Sequence, residues 1–229
     1  MKSQDSHDFI TKHPVAIKVI SDEKLYFSLL EDPIYEPIIV ILREGPLTLE
    51  ELVERYNEYV AMKGKERKLT KVEIEAAQKS DTSVYRYIKK LEEMGIVFEA
   101  GRRIDPDGRT TKALFSRTAK LFIPATTSKE WWETTSSKRI IEATAQMFAQ
   151  ALGTKNPDIE CIKKFMLDMD TDTSQKSAKF YDEHNDLLTE ITKDMGFKEI
   201  DKFLSWLNYL LLMVNSEEYL EKLKKCFKN

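Results

Sequence analysis

The chain has 229 residues, 41% of them hydrophobic and 33% charged, with only seven glycines and seven prolines, a composition that suits one large or two small folded domains and excludes a collagen-like or wholly disordered chain. The formal net charge of -3 excludes a polybasic nucleic-acid coat, yet charge is unevenly placed: residues 81–123 carry nine Lys and Arg against six Asp and Glu, and residues 124–229 carry fifteen against eighteen. Cys161 and Cys226 lack the CxC or CxxC spacing of a metal or redox site and make no disulfide framework, which fits a reducing cytoplasm.

Residues 1–30 read as an N-terminal arm, without the basic-then-apolar order of a leader. His7 and His13 lie in it without partner spacing, and "VAIKVI" at 15–20 reads as a short strand or a turn of helix. "DPIYEPIIVILREGPLT" predicts a helix with Pro33 in its first turn, an apolar face of Ile34, Ile38, Ile41 and Leu42, and Gly45-Pro46 at its end. Thr48 and Glu51 then form a capping box for a second helix, along which Leu49, Leu52, Val53, Tyr56 and Val60 recur at helical spacing. The charged stretch 62–79 extends this helix, breaks it near Gly64, and forms a short extra helix around 72–78. In "SDTSVYRYIKKLEEMGIV", Val84, Tyr87, Ile88 and Leu91 gather on one side of a helical wheel, with Thr82, Arg86, Lys89 and Glu93 opposite. Asp81 can cap this third helix, with Ser80 as the rival cap, and Gly95 supplies the left-handed residue that ends it. "IVFEAGRRI" and "RTTKALFSR" flank Asp105-Pro106-Asp107-Gly108, the signature of a β-hairpin.

Beyond Pro124 the pattern is helical throughout. A capping box at Thr127 and Glu130 opens a helix with Ile140, Thr144, Met147, Phe148 and Ala151 on its stripe and Gly153 at its end. Further helices are expected at 158–169, at 174–195 with a stripe of Phe180, His184, Leu187, Leu188 and Ile191, and at 200–214, with an amphipathic tail at 217–227. The apolar run 203–214 is too short to span a bilayer, so no membrane is expected. Asp168, Asp170 and Asp172 alternate like the first ligands of a calcium loop, but Thr173 replaces the required glycine and Lys179 the bidentate Glu, which favours a helix-end turn. His184 reads as a hydrogen-bonded core or interface histidine. Trp131, Trp132, Phe148, Trp206 and Tyr209 suit core packing or a dimer interface, and after those a pocket for an effector. No nucleophile motif, phosphate loop or zinc signature occurs, so neither an enzyme nor a cofactor is expected.

Helix, helix, third helix and hairpin, in that order, make a mainly α fold with a small β-hairpin wing: a winged helix-turn-helix domain at 31–124, followed by an all-α module at 125–229. The third helix, about 81–94, would enter the major groove of double-stranded DNA, and the wing, about 97–117, would lie on the adjacent backbone or minor groove. Short Thr82 and Ser83 allow the helix N-terminus close to a phosphate, Arg86 has the fork to read guanine, Tyr85 can reach a phosphate or a thymine methyl, and Lys89 and Lys90 are point charges for the backbone. Arg102, Arg103, Arg109 and Lys112 cluster around the wing, where they suit a narrow minor groove or phosphates. Lys63, Lys65, Arg67 and Lys68 of the 62–79 insertion either add phosphate contacts or hinder groove entry.

"SDTSVYRYIKKLEEMGIVFEAG", with "EGPLTLEELVE" upstream and "FSRTAKLFIP" downstream, resembles the ArsR-type winged-helix transcription regulators, especially archaeal ones, over about 31–124. The resemblance implies a dimeric, sequence-specific repressor or activator on a roughly palindromic operator. It does not extend to the cysteine pair of the family's metal sensors, since none lies between Ser80 and Val97. A homodimer through the C-terminal helices would set two recognition helices roughly 34 Å apart. The alternative is a winged-helix protein-interaction module, favoured by the pI near 5.8 and by Glu92, Glu93 and Glu99.

Overall fold

The structure, a computed structural model, describes residues 6–22, 25–26, 29, 32–105, 109–125, 130–154, 156–214 and 216–227. The expected hairpin turn at 106–108 and the Thr127 half of the expected capping box lie outside these residues. The chain is mainly helical with a small sheet, and it divides into two units, one of Met1–Lys18, Lys24–Phe122 and Asn185–Ile200, the other of Val19–Glu23, Ile123–His184 and Asp201–Asn229. Residues 185–200 thus join the N-terminal unit rather than the C-terminal helices.

In chain order the N-terminal part contains β1 (His7–Ile10), β2 (Val15–Ile20), α1 (Glu36–Ile41), β3 (Leu47–Thr48), α2 (Leu49–Glu66), α3 (Lys71–Ala77), α4 (Asp81–Glu93), β4 (Val97–Ile104), β5 (Thr111–Arg117) and β6 (Ala119–Pro124). "VAIKVI" is therefore a strand, and it pairs with β6. Pro37 stands in the first turn of α1, as its position in the sequence also allows, whereas Pro33 precedes the helix, which starts only after Tyr35; Ile38, Ile39 and Ile41 face the core. The Thr48–Glu51 capping box forms in both directions, the Thr48 N–H donating to the Glu51 carboxylate at 2.9 Å and the Glu51 N–H to Thr48 Oγ1 at 3.3 Å.

Gly64 does not break α2. The helix continues through it to Glu66 and turns at Lys68, whose φ is 58°. Gly64 is buried because Ile74 of α3 packs onto it: a Cβ there would sit 2.6 Å from Ile74 Cγ1. α3 has its own capping box, Thr70 with Glu73, but no buried residue; Ile74 and Ala77 are half-buried. Ser80, not Asp81, occupies the N-cap of α4, and Gly95 takes the left-handed conformation after it (φ 68°).

One antiparallel sheet has the strand order β1-β4-β5-β3. β4 and β5 are the expected hairpin, paired from Val97↔Arg117 to Ile104↔Thr111, with an irregularity between Glu99 and Gly101. β1 adds to the outer edge of β4 in the register His7↔Ile104.

The second unit holds a 3₁₀ turn at Trp131–Glu133, α5 (Thr135–Leu152) and α6 (Ile159–Glu183); α7 (Asn185–Ile191) follows in the first unit, then α8 (Phe197–Val214) and α9 (Ser216–Lys225). Thr189 Oγ1 on α7 accepts from the Ala16 N–H at 3.0 Å, and Asn185 Nδ2 donates to the Ile17 carbonyl at 3.1 Å, which ties α7 to β2. Among the described residues no helix is long and apolar enough to cross a membrane.

Four expectations fail in the helical region. The buried face of α5 is Ser137, Ile141, Ala145 and Ala149, while Ile140, Met147 and Phe148 of the expected stripe are 48, 72 and 45% exposed. Small residues win the inner position because they let α6 approach closely. The segment 168–173 is not a helix-end turn: α6 runs through it unbroken, and Asp172 accepts from Lys176 at 2.8 Å one turn on and from the Tyr219 hydroxyl of α9. His184 is exposed, so it is not a core histidine, while its interface reading is untouched; it ends α6 with its ring 4.6 Å from that of Phe180. Finally, Cys161 and Cys226 form a disulfide, joining α6 to the turn after α9 beside a core of Trp132, Ile141, Ala145, Ala149, Ile162 and Phe227. The two cysteines therefore give no indication of a reducing compartment.

Candidate nucleic-acid interface

α4 is oriented by what it buries. Val84, Ile88 and Leu91 are each 0% exposed, and Tyr87, half-buried, meets the Tyr35 ring edge-on with centroids 6.1 Å apart. Its entry is set by the Asn57 side chain on α2, whose Nδ2 donates to the Lys79 carbonyl at 3.0 Å and whose Oδ1 accepts from the Lys79 N–H at 2.8 Å. With one flank fixed this way, the opposite flank projects outward. Thr82, Tyr85, Arg86, Lys89 and Lys90 are exposed, and Ser83 is half-buried, its hydroxyl 3.3 Å from that of Ser80.

The charges on that flank differ in their engagements. Lys89 pairs with Glu92 at 2.6 Å and Lys90 with Glu93 at 3.0 Å, both in the i,i+3 relation; the hydrogen bond that Lys89 donates to Glu92 raises the Lys89 pKa. Such exposed pairs are weak, so a phosphate can replace the carboxylate. Arg86 has no ion pair among the described residues, and its guanidinium lies 5.9 Å from the Tyr87 ring.

No protein-family model matches the sequence, and no curated protein matches it significantly. Any functional reading thus stands on the residues themselves.

The cations of the β4–β5 hairpin are more committed than the helix ones. Arg103 donates through Nε and Nη2 to Asp8 at 2.6 and 2.9 Å and through Nη1 to Glu51 at 2.6 Å. One guanidinium thereby ties together β1, β4 and the first turn of α2. The hydrogen bond from Arg103 lowers the Asp8 pKa. Burial alone would raise that of Glu51, but the Thr48 N–H and Arg103 outweigh it, and the net direction is down. Lys112 pairs with Glu50 at 2.6 Å, and Arg102 with Glu99 at 3.4 Å. Arg109 is exposed beside the wing tip. Arg103 is thus placed as a structural tie, while Arg102, Arg109 and Lys112 stay at the wing surface.

The long-range pairs Asn57–Lys79, Asp8–Arg103, Glu51–Arg103 and Glu50–Lys112 leave no local signal in the sequence, since each spans 22 or more residues. Arg117 was also passed over. It shares a strand face with buried Phe115 and is itself 3% exposed; a charge at an apolar-face position is the clue that was available.

Proposed function

We propose that the chain is a dimeric, sequence-specific DNA-binding transcription regulator of the winged helix-turn-helix type, with α4 in the major groove and the β4–β5 hairpin on the adjacent backbone or minor groove. The observation that carries this reading is the division of α4, whose Val84, Ile88 and Leu91 are fully buried while Thr82, Tyr85 and Arg86 are exposed on the other flank. The order of elements agrees with it, since the β4–β5 hairpin follows α4 in the chain and β3, just before α2, pairs with β5. The resemblance of residues 31–124 to archaeal ArsR-type regulators agrees, and a cytoplasmic location follows from access to the chromosome. For dimerisation the support lies in the second unit, where α5 exposes Met147 and Phe148, and α8 exposes Trp206, Tyr209, Leu210 and Met213, each by 45% or more.

A protein-interaction module is the second reading, favoured by the acidic partners of Arg102, Arg103 and Lys112. Fluorescence anisotropy on a duplex selected by footprinting the chain's own upstream DNA separates the two. DNA binding should weaken by orders of magnitude between about 50 and 200 mM salt, whereas an apolar protein contact should not. Arg86→Ala should reduce operator affinity by about 1–3 kcal/mol and relax one base position, leaving random duplex almost unaffected. Equal losses on both duplexes would remove Arg86 from base reading, and no duplex binding at low salt would favour the second reading.

A further inference from the structure

Arg117, the last residue of β5, is 3% exposed, and its Nε and Nη1 are buried without a hydrogen-bond partner. A guanidinium presents five N–H donors and keeps its proton far above neutral pH, so it carries into the interior a charge that needs an anion. Its described neighbours do not supply one. The Phe122 ring lies 4.8 Å from its carbon centre, offering only a π face. Burial first, and then the like charge of Arg43, push its pKa down to about 9.

Arg117 lines a cleft of about 440 Å³ within the first unit, walled also by Arg43, Lys12, Lys120 and the turn at 193–197. The Lys120 ammonium is held in that wall by the carbonyls of Thr192 and Lys193, at 2.5 and 2.7 Å. Arg43 stacks 4.2 Å over the Phe197 ring. Two carboxylates border the cleft, Glu44 and Asp194, and Glu44 is bound to Arg55 at 2.9 Å. Leu42, Pro46 and Ala119 give the remaining wall an apolar surface.

We propose that this cleft binds a small compound bearing a phosphate or carboxylate, whose oxyanion meets the Arg117 guanidinium and Arg43 while an apolar body lies along Leu42 and Pro46. The volume is that of a small-metabolite site, larger than a bare ion requires. The oxyanion supplies the acceptors that Arg117 lacks, in the charge-assisted geometry that guanidinium groups favour. The proposal does not depend on DNA binding and is tested without DNA.

The test is thermal denaturation of the full chain titrated with inorganic phosphate, phenyl phosphate or benzoate, against sodium chloride at matched ionic strength. A saturable rise of about 5–10 °C in Tm is expected at a hundredfold excess over Kd for a probe that fits. Arg117→Met, which keeps the length and removes the charge, should abolish that rise while its Tm in chloride equals or exceeds that of the parent chain. Arg102→Met, on the wing surface, should keep it. Should Arg117→Met not fold, Arg43→Met at the exposed side of the cleft should weaken the probe several-fold. Absence of any rise beyond the chloride control, an unchanged response in Arg117→Met, or an unchanged Kd in Arg43→Met would overturn the proposal.

Discussion

Replacing Arg103 by Met separates a structural role in the β4–β5 hairpin from the proposed nucleic-acid role. The side chain is 21% exposed, and its partners Asp8 and Glu51 are 38 and 33% exposed. This lies between a surface ion pair, worth about 0–1 kcal/mol, and a buried one, whose disruption costs about 3–5 kcal/mol. Discounted for solvent screening, the expected loss is about 2 kcal/mol, or roughly 4–8 °C in Tm for a chain of this size. The pH dependence has a definite sign. Both carboxylates have lowered folded-state pKa values, so their contribution is present above the unfolded values near pH 4 and disappears as pH falls through the folded ones. Urea denaturation should therefore show the full difference between parent and variant at pH 7 and at pH 5, and a shrinking one below about pH 4. Since Arg103 is already bound to two acids, duplex affinity at equal folded fraction should change by less than about twofold. Equal stability at pH 7, or a difference that persists unchanged below pH 4, would refute the tie; a large loss of duplex affinity with normal stability would return Arg103 to the DNA surface.

Two further changes probe other parts of the molecule. Gly64→Ala normally gains about 1 kcal/mol in a helix interior, but here the new methyl meets Ile74, so global stability should move by less than about 1 kcal/mol while amide exchange in Lys71–Ala77 accelerates. Unchanged or slower exchange there would show that α3 is held by something other than that contact. Reducing the Cys161–Cys226 bond, or changing both residues to Ser, opens a loop with a sequence separation of 65 and should cost about 4 kcal/mol on chain entropy; coincident denaturation curves with and without reductant would contradict this.

The legible parts of the fold were those set by local rules. The Thr48–Glu51 box, Gly95 and the two-sided α4 each follow from residues within one or two turns of one another. Boundaries and faces that depend on neighbours were not legible. Gly64 looks like a breaker until Ile74 is placed against it, and the polar run at 168–173 looks like a helix end until Asp172 finds Tyr219 on α9. On α5 the larger apolar residues suggested the inner stripe, yet close helix approach selected Ala145 and Ala149. For the candidate site, the wheel identified the outward residues of α4 correctly as exposed, but it had no means of showing that Asp8 and Glu51 had already claimed Arg103. The disulfide joins residues too far apart for spacing to pair them.

β1 has a consequence for the molecule's behaviour in solution. A hairpin whose outer strand is bare offers its backbone groups to any other extended chain. Here the N-terminal strand occupies that position along the length of four residues, and Gly101 makes the approach possible, since a side chain there would collide with the Phe9 carbonyl. The four-residue β1 is itself a short edge, and cleaving the first ten residues should expose the longer border of the eight-residue β4, so that proteolysis at the N-terminus yields clumping rather than a clean, smaller species.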